Sequence, residues 1–200
     1  MKALIIGSTG TIGSAIVKEL QEDTDLVTAN RSSGDYSVDL ATTNTVADLF
    51  KQCGTLDAIV CAASRGVIFK PLKEMTLDDY LQSLQQKLFG QIAIVLHGVH
   101  VLNDRGSITL TTGLMNHEWV RDGSAASLVN NAVEGFAQAA ALDLPRGIRL
   151  NVISPALLEE SAKQYASICP GFEPVSSAKV ARAYRKSIYG IQTGMVFHVH

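Results

Sequence analysis

Apolar positions follow two rhythms along this 200-residue chain. In the first, short runs are apolar almost without a break and rich in β-branched residues. They fall at "KALIIG" (2–7), "DLVTAN" (25–30), "YSVDL" (36–40), "LDAIVCA" (56–62), "GSITLTT" (106–112), "IRLNVIS" (148–154) and "GMVFHVH" (194–200). Unbroken apolarity over so few residues is what a strand covered on both faces requires. Between most of these runs the spacing becomes helical. Strand–helix alternation predicts a single-domain α/β fold, a doubly wound parallel sheet of seven strands with helices on both sides.

Two helices can be read in more detail. Thr76 and Asp79 have the spacing of a capping box. Leu77, Leu81, Leu84, Leu88, Ile92, Val95, Val99 and Leu102 then recur at steps of four and three, which predicts one helix with one apolar stripe over 76–102. At 100° per residue, Lys87 falls on the flank of that stripe, roughly 95° from its centre. The second helix is expected over 124–144, stopped by Pro145 and rich in alanine. Its small residues permit close approach on more than one side. Packing within the core and packing against another subunit are both open, and a homodimer or homotetramer would form through the 76–102 and 124–144 helices.

Composition narrows the classes. With 46% apolar and 18% charged residues the chain can bury a core. A net charge of −2 gives no electrostatic case for nucleic acid or an anionic membrane. No apolar run reaches the roughly 20 residues of a membrane span, and "MKALIIGSTG" is too short for a signal peptide. Cys53, Cys61 and Cys169 are an odd, scattered set, so neither disulfides nor structural zinc is expected, and a reducing cytoplasm is the default location. His97 with His100, and His198 with His200, have usable spacings but no acidic or cysteine partner nearby, so no metal site is read.

The strongest chemical signal is "GSTGTIG" after the first strand. Gly7, Gly10 and Gly13 would give a tight turn, room for a pyrophosphate, and close helix–strand packing. Ser8, Thr9, Thr11 and Ile12 complete the loop, and the helix N-terminus offers N–H donors to phosphate. The second strand ends in Asn30, Arg31 and Ser32, where NAD-binding folds usually carry an acid. A guanidinium beside hydroxyls suits a ribose 2′-phosphate, so NADP(H) is expected over NAD(H).

With these motifs in view, the chain resembles the short-chain dehydrogenase/reductase family, with its Rossmann-type fold, over nearly its whole length. "VDL" places Asp39 and Leu40 where that family contacts adenine. "CAAS" stands where it usually has Asn-Asn-Ala-Gly, so Ala62, Ala63 and Ser64 would border the cofactor. "GSITLTTG" resembles the strand that carries the catalytic serine, which puts Thr111 beside the cofactor. Thr112 is the best match for the serine, with Gly113 competing. "AVEGF…LDLPRGIRLNVISP" (132–155) resembles the segment after the active-site helix. Pro155, Ala156 and Leu157 would then touch the cofactor and begin a short substrate lid around 155–175.

The family's chemistry rests on Asn, Ser, Tyr and Lys. Anchoring on "AVEGF" puts Ala126 at the tyrosine and Asn130 at the lysine. "KLFG" puts Lys87 at the asparagine. Lysine and asparagine are thus exchanged between two helices, and Lys87 and Asn130 are expected to have traded roles. His117 is a further acid–base candidate, with Trp119 and Met115 as an apolar wall beside it. Two functions follow. One is an NADP(H)-dependent oxidoreductase acting on a small carbonyl or alcohol with a rearranged catalytic set. The other is an NADP(H)-binding sensor or regulatory protein without turnover.

Overall fold

All seven apolar runs are strands, β1 (Lys2–Ile6), β2 (Asp25–Asn30), β3 (Tyr36–Ser37), β4 (Leu56–Cys61), β5 (Leu102–Thr111), β6 (Arg149–Pro155) and β7 (Val196–Val199). The computed structural model describes residues 1–63 and 66–200. The strands form one parallel sheet in the order β3-β2-β1-β4-β5-β6-β7. The order reverses between β1 and β4, and a doubly wound sheet opens its ligand crevice at such a switch point.

The helices are α1 (Thr11–Leu20), α2 (Thr43–Gln52), α3 (Leu77–Ser83), α4 (Gly90–Gly98), α5 (Ser124–Ala140), α6 (Ala162–Tyr165) and α7 (Ser177–Tyr189). The sheet divides the core in two. On one face Leu4, Ile6, Ile59, Ile108, Leu110 and Val152 pack with residues of α2, α4 and α5. On the other Ala3, Ile5, Val60 and Ile153 pack with Ile16 and Leu20 of α1 and with Val180, Tyr184 and Ile188 of α7. Each central strand is buried on both sides, which is why its sequence shows no polar alternation.

The capping box on α3 is present, with Thr76 and Asp79 bonded to each other's backbone N–H. The single helix expected over 76–102 is not. Residues Leu84–Phe89 form a π-helical turn between α3 and α4, and the helical run ends at Gly98. Leu102 opens β5, paired with Leu56. A π-turn adds a residue to the turn and rotates what lies on either side. The stripe therefore does not stay on one face. Leu77 and Leu81 stand 81% and 58% exposed, while Leu88 and Val95 are buried. The same rotation takes Lys87 off the flank and into the interior, at 6% exposure. The second helix ends at Ala140 rather than Leu144, and a turn leads to Pro145. Among the described residues, no helix is long and apolar enough to cross a membrane.

Candidate functional site

The glycine loop has the shape its sequence implies. Gly7 leaves β1 at φ +87°, and a Cβ there would fall within 2.9 Å of Ala63. A Cβ on Gly13 would lie 1.9 Å from the Gly7 carbonyl oxygen, so α1 can press against the loop only with glycine at this position. Gly10 differs. Its Cβ would meet only the Gly7 oxygen, at 3.6 Å. The fold itself does not demand glycine there, and what Gly10 keeps clear is the space before the N-terminus of α1. A pyrophosphate needs that space, so the residues fit a dinucleotide.

A cleft of about 220 Å³ opens there, walled by Gly7, Thr9 and Gly10 from the loop and by Ala62 and Ala63 after β4. Asn30, Arg31, Ser32, Asp39 and Leu40 close its far end. Ala41 and Gln86, which sequence reasoning did not single out, also line it. Asn30 is buried, donates from Nδ2 to Ser8 Oγ at 2.8 Å and accepts from Thr9 N at 3.3 Å. It braces the loop from below and leaves Arg31 as the exposed charge at the rim. Ser8, Thr11, Ile12 and Gly13 lie off the cleft wall. Ser8 holds Asn30, Thr11 opens α1, and Ile12 packs against the core. Ser64 lies outside the described residues. The Thr111 hydroxyl turns to the opposite layer, bonded to the Cys61 carbonyl and to Tyr184, while Gln91 holds its backbone N–H and C=O.

Beyond the cleft, α5 and the π-turn bring the two exchanged residues together. Lys87 Nζ donates to Asn130 Oδ1 at 2.7 Å and to the Thr112 carbonyl at 3.4 Å. Asn130 Nδ2 donates to the Gly113 carbonyl at 3.0 Å. Burial draws the Lys87 ammonium down to about 8 from its ordinary value, opposed by the nearby Cys61 thiol and Glu134 carboxylate. A Cβ on Gly113 would stand 3.7 Å from Asn130 Nδ2 and 3.9 Å from the Pro155 oxygen. Gly113, rather than Thr112, is thus the position whose side-chain direction opens toward Asn130 and the end of β6. Thr112 directs its hydroxyl to Glu134 Oε1 at 2.7 Å. Ala156 joins the core beneath, and Leu157 accepts from Val175 N, which ties the base of the following loop.

Glu134 was missed as a site residue although it lies inside "AVEGF". Its spacing of four from Asn130 puts both on the buried face of α5, and that was the available signal. Glu134 Oε2 lies 3.8 Å from His117 Nε2. The His117 ring meets His198 of β7 edge-on at 4.4 Å. Burial first, then His117, hold His198 below the ordinary histidine value, while Glu134 opposes them. Asn116 and Ser154 are buried, with their side-chain polar atoms unpartnered among the described residues. Met115 and Trp119 wall a second cavity, of about 400 Å³, at the start of α5.

Residues 6–190 match the family model described as enoyl-(acyl carrier protein) reductase. The chain belongs to the short-chain dehydrogenase/reductase family. It is similar to the protein lin1944 from Listeria innocua, at 44% identity and a TM-score of 0.97 over 100% of both chains. A small-chain dehydrogenase solved in complex with NADPH is 25% identical, with a TM-score of 0.87 over 100% of this chain and 96% of that one. A short-chain dehydrogenase from Burkholderia cenocepacia J2315, solved with NADP, is 21% identical and shares the fold, at a TM-score of 0.85 over 98% and 95% of the two chains. No curated protein matches the sequence.

Proposed function

We propose that this family member is an NADP(H)-dependent oxidoreductase acting on a small carbonyl or alcohol through a rearranged set of site residues. The observation that carries the reading is the buried hydrogen bond between Lys87 and Asn130. When bound, the nicotinamide dinucleotide would supply or accept the hydride. Gly7, Thr9 and Gly10, with the N-terminus of α1, would hold its pyrophosphate. Arg31 and Ser32 would take the 2′-phosphate, and Asp39 and Leu40 would flank the adenine. The relatives solved with NADPH and NADP support this choice of dinucleotide.

At the other end, Asn130 would hydrogen-bond the nicotinamide ribose. Lys87, held by Asn130, would place positive charge where negative charge develops on the substrate oxygen. His117 or water would carry the proton, while Thr112 holds Glu134. Pro155, Ala156 and Leu157 would border the nicotinamide at the base of a lid around 155–175. The exposed Leu77 and Leu81, with Leu128 on α5, support association into a homodimer or homotetramer through the 76–102 and 124–144 helices. The three free thiols fit a reducing cytoplasm.

A second reading, a dinucleotide sensor without turnover, draws on Gly113 and Ala126, which bring no hydroxyl to the site. Thermal stabilisation by NADPH, NADP⁺, NADH and NAD⁺ tests both. The enzyme reading expects the largest shift with NADPH or NADP⁺, followed by turnover on aldehydes or ketones. Stabilisation without turnover would favour the sensor, and no stabilisation by any dinucleotide would remove both.

A further inference from the structure

The polar side chains on the wall of the dinucleotide cleft fall into two groups. Three are engaged within the chain. Thr9 Oγ1 donates to Asn30 Oδ1 at 3.4 Å, Asn30 Nδ2 donates to Ser8 Oγ, and Asp39 Oδ1 accepts from Ala41 N at 3.0 Å. The side chains of Arg31, Ser32 and Gln86 have no hydrogen-bond partner among the described residues. Arg31 and Ser32 are exposed at the rim, whereas Gln86 is half-buried. A partly desolvated amide without a partner is unfavourable until something bonds to it. Gln86 is also held in place. It belongs to the π-helical turn Leu84–Phe89, which sends three successive side chains to three different partners. Gln85 Nε2 donates to the Ala41 carbonyl at 3.4 Å, Gln86 lines the cleft, and Lys87 turns inward to Asn130. Gly90, just after the turn, lies so close to Leu40 that a Cβ there would stand 2.6 Å from the Leu40 carbonyl oxygen. Gly66, at φ +80°, lies against the Gln86 side chain, and a Cβ there would collide with the amide.

We propose that Gln86 is a cofactor-binding residue whose side-chain amide hydrogen-bonds the adenosine of the dinucleotide. This rests on the NADP(H) reading of the cleft. Position decides which end of the cofactor it meets. The turn that carries Gln86 is fastened to Leu40 and Ala41, on the side of the cleft that takes the adenine in that reading. The chemistry agrees. Adenosine presents ring nitrogens and ribose oxygens as acceptors, and an amine and hydroxyls as donors. A glutamine amide can donate and accept at once. Gln86 is neutral, so it does not distinguish a 2′-phosphate from a 2′-hydroxyl, as a guanidinium does. Adenosine is common to NADPH and NADH, and Gln86 contributes equally to both. Arg31 and Gln86 thus have separate tasks, the first in selecting the phosphorylated dinucleotide and the second in anchoring either one.

Calorimetric titration of the full-length chain with NADPH, NADH and 2′,5′-ADP tests the assignment. Gln86→Leu keeps the bulk of the side chain and removes its hydrogen bonds. It should weaken NADPH and NADH by the same factor, about 3- to 10-fold, the usual net contribution of a neutral hydrogen bond. The fragment 2′,5′-ADP carries the adenosine end alone and should lose affinity by that factor too. Urea unfolding without cofactor should show Gln86→Leu no less stable than wild type, because the amide bonds to nothing among the described residues. A destabilised variant would mean that the amide serves the fold, and would overturn the proposal. NADPH binding that Gln86→Leu leaves unchanged would overturn it as well. So would a loss that NADH does not share, which would move the contact to the 2′-phosphate, or one that 2′,5′-ADP does not share, which would move it to the other end of the cofactor. In each of these cases wild type still binds NADPH, and the NADP(H) reading stands. A wild type that binds neither dinucleotide would refute that reading and this inference with it.

Discussion

Replacing Lys87 by methionine tests its burial without any cofactor. In the folded chain the Lys87 ammonium ionises at about 8, against 10.5 when unfolded. At about 1.4 kcal/mol per pH unit, that displacement corresponds to about 3 kcal/mol. The sign follows from proton binding. Between pH 8 and 10.5 the unfolded chain keeps the proton that the folded chain has released, so wild-type stability rises with pH relative to a chain without the lysine. Below pH 8 both states hold the proton, and the full cost of burying the charge is present. Other groups act at alkaline pH, notably Cys61, whose thiol burial pushes up to about 12. The difference between the two proteins is therefore the quantity to follow. Urea unfolding of wild type and Lys87→Met at intervals from pH 7 to 10.5 should show wild type gaining about 3 kcal/mol on the variant across the range. A difference that stays constant with pH would mean that Lys87 ionises as a solvated lysine, and the buried Lys87–Asn130 contact would be refuted.

Gly10→Ala and Gly13→Ala should separate binding from folding. The first leaves stability within about 1 kcal/mol and removes the thermal shift with NADPH. The second should destabilise by about 1–3 kcal/mol or more, because its Cβ meets the Gly7 oxygen at 1.9 Å. Equal thermal stability of the two apo variants would contradict the packing account of the loop. Arg31→Ala should weaken NADPH binding roughly 10- to 100-fold while sparing NADH, and calorimetric titration with each checks it. Leu77→Glu with Leu81→Glu should shift the chain toward monomer in analytical ultracentrifugation, and an unchanged sedimentation coefficient would remove that face from the interface.

The sheet was legible because its central strands are buried on both faces and so read as unbroken apolar runs. The cradle was legible because Gly7 and Gly13 answer steric demands of the backbone, and only glycine meets them. Three things were hidden. The π-turn at Leu84–Phe89 leaves the heptad-like spacing intact in sequence while rotating the structure beneath it, so Lys87 read as a flanking residue. Thr111 ends β5 and Thr112 follows it, and their hydroxyls point to opposite layers, so one sequence match could not serve both as site residues. Glu134 was visible as a letter in a matching segment, but its neighbours Thr112 and His117 come from a strand end and a loop outside its own helix. Tertiary proximity of that kind leaves no local pattern.

Lys87, held by Asn130, is proposed to stand at the reactive end of an NADP(H) site. Deuterium transfer from nicotinamide-deuterated NADPH to an aldehyde, followed by mass spectrometry of the alcohol, tests it most directly. Wild type should yield deuterated product, and Lys87→Ala should bind NADPH comparably and yield it at least tenfold more slowly. Equal transfer rates in the two proteins, or NADPH binding by wild type with no deuterated product from any aldehyde, would contradict the account.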